Sequence, residues 1–315
     1  MVTRLHLFIV ISLSLLLTSV VLIMYTQQRE REFLAHQLEI QHAMVEGAAR
    51  DISFRLEEQI RHVHLFNDEY RQLLTHLSRF PYDENTRENI NTRLTQRFPN
   101  VDSFSITNTL GNPILDDFEG NIGEVCQRDI SNFSSEVQRL QSTGQAYNAI
   151  FIHPQANRYH YDIMAAIKDG GYYPVHSILL VSFKPKYIQD ILESRQIPGH
   201  KLMLTKLHDN SLIEISNEGT RDTMAREGRL SKHELLSIKA SEHIPNTDWV
   251  MVDLKDPSYE QQYIIKLWKE AGGIILIVAV TNIFIFLIFS TRIKYAEIRE
   301  SKRDNKTYPW VKRDH

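Results

Sequence analysis

One cysteine, Cys126, stands in 315 residues. That excludes an intramolecular disulfide and any multi-cysteine metal cluster, and it reads as a buried thiol serving as a small hydrophobe. Charge of one sign is also lacking: 36 Lys and Arg stand against 39 Asp and Glu, a net of -3. Without a broad basic field, nucleic acid is not an expected partner. The chain contains no nucleophile elbow, P-loop, dinucleotide fingerprint, kinase signature or HExxH pair. No catalytic residue, cofactor or metal site is therefore expected, and the protein is not expected to be an enzyme. Proline is missing from Gln27 to Arg79, and that stretch has a single glycine, Gly47.

Hydrocarbon is abundant, and concentrated. Leu7 to Met24 and Gly272 to Ser290 carry no charge. Each is about 18 residues long, enough to cross a bilayer core at a rise of roughly 1.5 Å per residue. The sequence after the first run, "YTQQREREF", has no small-x-small cleavage site, so an uncleaved signal anchor is expected. After the second run stand Arg292, Lys294, Arg299, Lys302, Arg303, Lys306, Lys312 and Arg313, a basic concentration that belongs in the cytoplasm. Two spans put both termini on one side. The expected division is a cytoplasmic N-terminus (1-6), a first span (7-25), a long extracytoplasmic helix (26-80), a membrane-distal unit (81-197), a membrane-proximal unit (198-271), a second span (272-290) and a basic tail (291-315). Trp268, Lys266 and Lys269 would sit at the outer interface.

In the proline-free stretch, apolar residues recur at Leu38, Val45, Ile52, Leu56, Val63, Tyr70 and Leu77, with Ile60, Phe66 and Leu73 between them. Alternating steps of three and four predict one long amphipathic helix ending near Pro81. A short helix capped by Asn85 or Thr86 follows, then a hairpin of "VDSFSIT" and "PILDDF". Next comes a helix capped by Ser131 or Asn132 and stopped at Gly144. Strands are expected at "YNAIFIH", "YHYDIMAAIK" and "VHSILLVSF", with Gly170-Gly171 turning the chain before the last, and the helix "KPKYIQDILES" closes the unit. A smaller set follows in "HKLMLTKL", "NSLIEIS" and "DWVMVDL", and the helix "PSYEQQYIIKLWKEAGG" leads into the second span. Short turns between strands favour an α+β fold with antiparallel sheets flanked by helices.

This order resembles the extracytoplasmic Cache sensor family of bacterial transmembrane receptors, in its double-module form. The likeness rests on the long helix leaving the membrane, on "SFSITNTLGNPILDD", "IGEVCQRDISNFSSEV" and "MAAIKDGGYYPVHSILLVSFKPKYIQDIL", and on "HIPNTDWVMVDLKDPSY" before the second span. The resemblance implies two PAS-like modules with a ligand pocket in the distal one. Such modules usually feed chemoreceptor, histidine-kinase or cyclic-dinucleotide output domains, and no such domain follows here.

Laid on this chain, the family's pocket singles out Arg128, Asp129, Phe133, Tyr147, Tyr159, Tyr161 and Asp162. An Arg fork holds a carboxylate, an Asp takes an ammonium, and aromatic rings supply flat walls, so an amino acid, organic acid or amine is the expected ligand. The alternative is a surface on which Arg128 and Asp129 are merely solvated and the tyrosines pack a strand. Fourteen histidines are scattered; His62 and His64 point to different helix faces, while His153, His160 and His176 stand on separate segments. Asn282 is the strongly polar side chain of the second span, with a second copy's Asn282 or Ser12, Ser14 or Thr18 as candidate partners. The chain is expected to act as a homodimer and, with so short a tail, through a separate cytoplasmic or membrane partner, the tail's basic residues resting on anionic lipid. An envelope scaffold, or a truncated relic of a sensor cyclase, histidine kinase or chemoreceptor, is the alternative.

Overall fold

The computed structural model describes residues 2–115, 124–141, 150–155, 158–168 and 175–307. The chain divides into two units: residues 38–256, and the terminal stretches 1–37 with 257–315.

The terminal unit consists of the first part of helix α1 (Val2–Glu69) and helix α7 (Pro257–Thr307). Both helices are long and apolar enough to cross a membrane. Inside this unit Phe8 meets Phe286 edge to face, Phe33 stacks on Tyr263 at 3.9 Å, and the Trp268 indole donates to Glu30 Oε2 at 3.0 Å. Helix α7 runs on through "TRIKYAEIRESKR" to Thr307; Tyr308, Pro309 and Trp310 lie outside the described residues.

The larger unit is built on two antiparallel sheets. The first has the order β1-β4-β3-β2, from β1 (Val101–Thr107), β2 (Ile150–Gln155), β3 (Arg158–Lys168) and β4 (Val175–Phe183). The second has the order β7-β6-β5-β9-β8, from β5 (His200–Lys206), β6 (Asp209–Ser216), β7 (Gly219–Thr220), β8 (Ser241–His243) and β9 (Trp249–Lys255). Helices α2 (Arg71–Arg79), α3 (Glu84–Arg97), α4 (Glu124–Gln141), α5 (Lys186–Arg195) and α6 (Lys232–Ser237) complete it.

The seam along α1 buries Val45, Ile52, Leu56, Ile60, Val63 and Phe66, joined by Ala48 and Ala49, in one cluster with residues of both sheets. From the first sheet come Tyr161, Ile163, Ala165, Leu179 and Val181; from the second, Leu202, Leu204, Ile215, Trp249 and Met251. Burying each large aliphatic side chain is worth about 1.5–3 kcal/mol, which holds in place a helix whose polar face is solvated. A polar tie adds direction: Gln41 Nε2 donates to Asp253 Oδ2 at 2.8 Å, and His200 Nδ1 meets the same oxygen at 2.6 Å, all three residues being buried. The far face of the second sheet carries its own cluster of Met203, Ile213, Met224, Leu230, Val252 and Leu254.

Three local expectations are corrected. The predicted long helix breaks at Tyr70, whose φ of -104° and ψ of 21° interrupt the ladder before α2 resumes it. Helix α3 is capped by Asp83, which accepts from the Thr86 N–H at 3.2 Å, rather than by Asn85 or Thr86. Helix α4 begins at Glu124, so Ser131 and Asn132 lie within it and cap nothing. The turn after β1 closes as expected: the Asn108 N–H donates to the Asn112 carbonyl at 2.9 Å, the Ile114 N–H donates to the Ile106 carbonyl at 2.8 Å, and Thr107 bridges Pro113; residues 116–123, with the rest of the expected second strand, lie outside the described residues. The short elements β7, α6 and β8 were not expected from the sequence.

Candidate functional site

Period-two alternation decides what β3 presents. Its odd residues Tyr159, Tyr161, Ile163, Ala165 and Ile167 point into the large core with α1. On its even side Met164 and the partly buried Ala166 pack under α4, in a cluster with Cys126, Ile130, Phe133, Ile178 and Leu180. The spacing of Cys126, Asp129, Ile130 and Phe133 at one helical face accounts for which edge of α4 turns inward.

Asp162 lies on this second face, fully buried. Its strand partners are Ser182 on β4 and Phe151 on β2. The Ser182 hydroxyl donates to Asp162 Oδ1 at 2.6 Å, and His160 Nε2, two residues back on the same face, stands 3.8 Å from that oxygen. Across from them, Cys126 on α4 is buried, and its thiol is held far above the ordinary range, first by burial and then by the charges of Asp162 and Asp129. Both carboxylates are within electrostatic reach of the thiol. Phe133 closes one side, its ring meeting Phe151 edge-on at 6.3 Å. The assembled groups are two carboxylates, an imidazole, a hydroxyl and two aromatic rings over an apolar floor. They are equipped to hold an ammonium or another donor-bearing group.

Of the residues selected from the sequence, Asp129, Phe133 and Asp162 come together here. Arg128 is exposed on α4 and does not share their face. Tyr159 and Tyr161 are buried on the opposite face of β3: the Tyr161 hydroxyl donates to Gln59 Oε1 at 2.8 Å, and its ring stacks on Phe183 and meets Trp249 edge-on. Burial raises both phenols. Tyr147 lies outside the described residues. His160, Ser182 and Cys126 were missed as site residues, although alternation from Asp162 would have put His160 on its face. His176 is exposed, away from His160, and among the described residues no cluster of metal-ligating side chains forms. A separate hollow of about 860 Å³ opens at the α1–α2 break beside Tyr70, Arg71, His76, Arg79 and Lys168; it contains none of these residues.

No protein-family model matches the chain, and comparison with curated proteins found no match. Among solved structures the chain is similar to the sensor domain of the Vibrio cholerae histidine kinase DctB, at 12% identity over 73% of this chain and 98% of that one, with a TM-score of 0.46. It is similar to the ligand-binding domain of the Pseudomonas fluorescens chemoreceptor CtaA in complex with L-isoleucine, at 12% identity over 74% and 98%, TM-score 0.45. The sensory domain of the Campylobacter jejuni chemoreceptor Tlp3 follows at 12% over 74% and 98%, TM-score 0.42.

Proposed function

We propose that the protein is a membrane-anchored extracytoplasmic sensor of the double-Cache type, whose first sheet binds a small ligand bearing an amine. The reading is supported above all by one observation: a fully buried carboxylate, Asp162, that accepts from the Ser182 hydroxyl and has His160 Nε2 3.8 Å away, on the sheet face that Cys126 and Phe133 of α4 cover. A buried carboxylate is costly unless it is well solvated by donors, and an ammonium supplies both donors and compensating charge. Exposure of Arg128 removes the expected carboxylate clamp, so an amine or the amino end of an amino acid is favoured over a simple organic acid. The protein binds without catalysing. Its spans lie in a bacterial inner membrane with both termini cytoplasmic, as the basic residues after the second run require. The chain acts as a homodimer and passes its state to a separate signalling partner; a ligand does so by binding one arrangement better than the other.

The test is a thermal-shift and calorimetric screen of the full chain in detergent against amino acids, amines, nucleobases and organic acids. An amine-bearing compound is expected to stabilise the protein, and Asp162→Asn to weaken its binding by about 30-fold or more, the loss of one charge-assisted contact worth roughly 2–3 kcal/mol. If no small molecule binds while cross-linking captures a partner protein, the envelope-scaffold reading replaces this one.

A further inference from the structure

Alternation along β1 sorts its residues between two faces. Phe104 and Ile106 pair with Val181 and Leu179 and join the core with α1. Ser105 and Thr107 pair with Leu180 and Ile178, which belong to the cluster under α4. The two hydroxyls therefore stand on the face that carries Asp162. Ser105 is 1% exposed and Thr107 0%, yet neither Ser105 Oγ nor Thr107 Oγ1 has a hydrogen-bond partner among the described residues. Taking a hydroxyl out of water without a partner is destabilising, and packing alone gives no reason for two of them on one strand. Ser103, the next residue on this side of β1, pairs with Ser182, the donor to Asp162 Oδ1, so hydroxyls and carboxylate form one polar row. Helix α4 reaches the same end of the sheet: a Cβ added at Gly111, in the turn after β1, would stand 2.7 Å from the Gln127 carbonyl oxygen.

The strand register also sets a spacing. Ser105 lies opposite Leu180 on β4 and, through it, Met164 on β3; Asp162 is two residues further along β3. Two strand spacings across and two residues along put the Cα atoms of Ser105 and Asp162 about 12 Å apart. With a hydrogen bond at each end, about 6–8 Å remains between the two polar atoms of a ligand. The amine and carboxylate of an α-amino acid are too close together to span that gap, whereas a chain of about four to six carbons fits it. We propose that Ser105 and Thr107 form a second subsite, and that the ligand is an amine with a neutral hydrogen-bonding group, a hydroxyl or an amide, at the far end of such a chain. The inference rests on the reading that Asp162 holds the amine. Neutral hydroxyls do not compensate a buried charge, so a carboxylate or a second ammonium at that end is disfavoured. Leu180 and Met164, buried between the two anchors, give the hydrocarbon chain an apolar floor.

Calorimetry of the full chain in detergent tests this with probes of equal chain length: 5-amino-1-pentanol, pentylamine, 1,5-diaminopentane and 5-aminopentanoate. The amino alcohol is expected to bind about tenfold more tightly than pentylamine, and more tightly than the diamine and the amino acid. Ser105→Ala should bring the ratio between amino alcohol and pentylamine down towards one, and the nearly isosteric Thr107→Val should lower it in part. Without added probe, neither variant should lower the thermal midpoint, because neither hydroxyl has a bond to lose. Equal binding of the amino alcohol and pentylamine by the wild type needs no variant and would overturn the inference. So would a ratio that both variants leave unmoved, or a midpoint that falls by several degrees; each of these leaves the amine reading standing. If no amine-bearing compound binds at all, the amine reading falls and this inference with it.

Discussion

Asp253 carries more than its own strand. Its Oδ2 takes both His200 Nδ1 and Gln41 Nε2, so a single carboxylate joins β5, β9 and α1 in a buried site. Removing one member of such a group leaves the others desolvated with fewer partners, which costs more than the group contributes when intact. Asp253→Ala is expected to lower stability by about 3 kcal/mol. Asp253→Asn should cost less, since an amide oxygen still accepts one of the two bonds. Chemical denaturation of the two variants side by side measures the difference; equal losses would show that the side chain's volume, and not its hydrogen bonds, is what matters. The residue scale is also where the sequence was least legible. Tyr161 and Asp162 are neighbours in the chain but face opposite sides of the sheet, and a list that gathers them by residue type alone joins what the strand separates.

Among the elements, α1 was the most legible, because a stripe at steps of three and four is written locally and the core follows it. Its one glycine tests how far the helix is settled by that core. A Cβ added at Gly47 meets nothing within 4 Å, and its backbone is ordinary helix. Gly47→Ala should therefore stabilise the chain by about 0.5–1 kcal/mol through lost freedom of the unfolded state. A rise of a few degrees in the thermal midpoint checks it, and destabilisation would mean that Gly47 meets a second molecule. By contrast, the pairing of β1 with β4 was illegible. "NTLGNP" is good turn chemistry and it does turn the chain, but the full ladder on the other edge of β1 comes from β4, some seventy residues on, and leaves no local signal. The start of α4 was misjudged for a related reason: Ser131 and Asn132 are common caps, yet the apolar residues Cys126 and Ile130 draw the helix one turn and more upstream onto the sheet.

For the whole molecule, the proposed topology makes a claim that needs no ligand. Tyr82 is 83% exposed in the larger unit, and Tyr295 is 75% exposed beyond the second apolar run. In a Cys126→Ser background, Tyr82→Cys should react with a membrane-impermeant maleimide on intact cells, and Tyr295→Cys only after permeabilisation. The reverse pattern would invert the orientation drawn from the basic tail. Fold class and the two long apolar helices were readable at this scale because composition and period are cumulative signals. The division of each sheet into a core face and a second face was not, since it depends on which helix comes to cover which side.

The pairing of β5 with β9 has a consequence for how the chain is made. His200 pairs with Lys255, so the central ladder of the second sheet closes only when nearly all of residues 38–256 has been synthesised. Until then the apolar stripe of α1, which precedes both sheets in the chain, lacks the part of its cover that the second sheet supplies. Contacts so distant in sequence form slowly, and a growing chain must carry an exposed hydrophobic stripe on α1 until β9 has been made. Variants that speed sheet closure should therefore raise the yield of folded protein more than variants that strengthen α1.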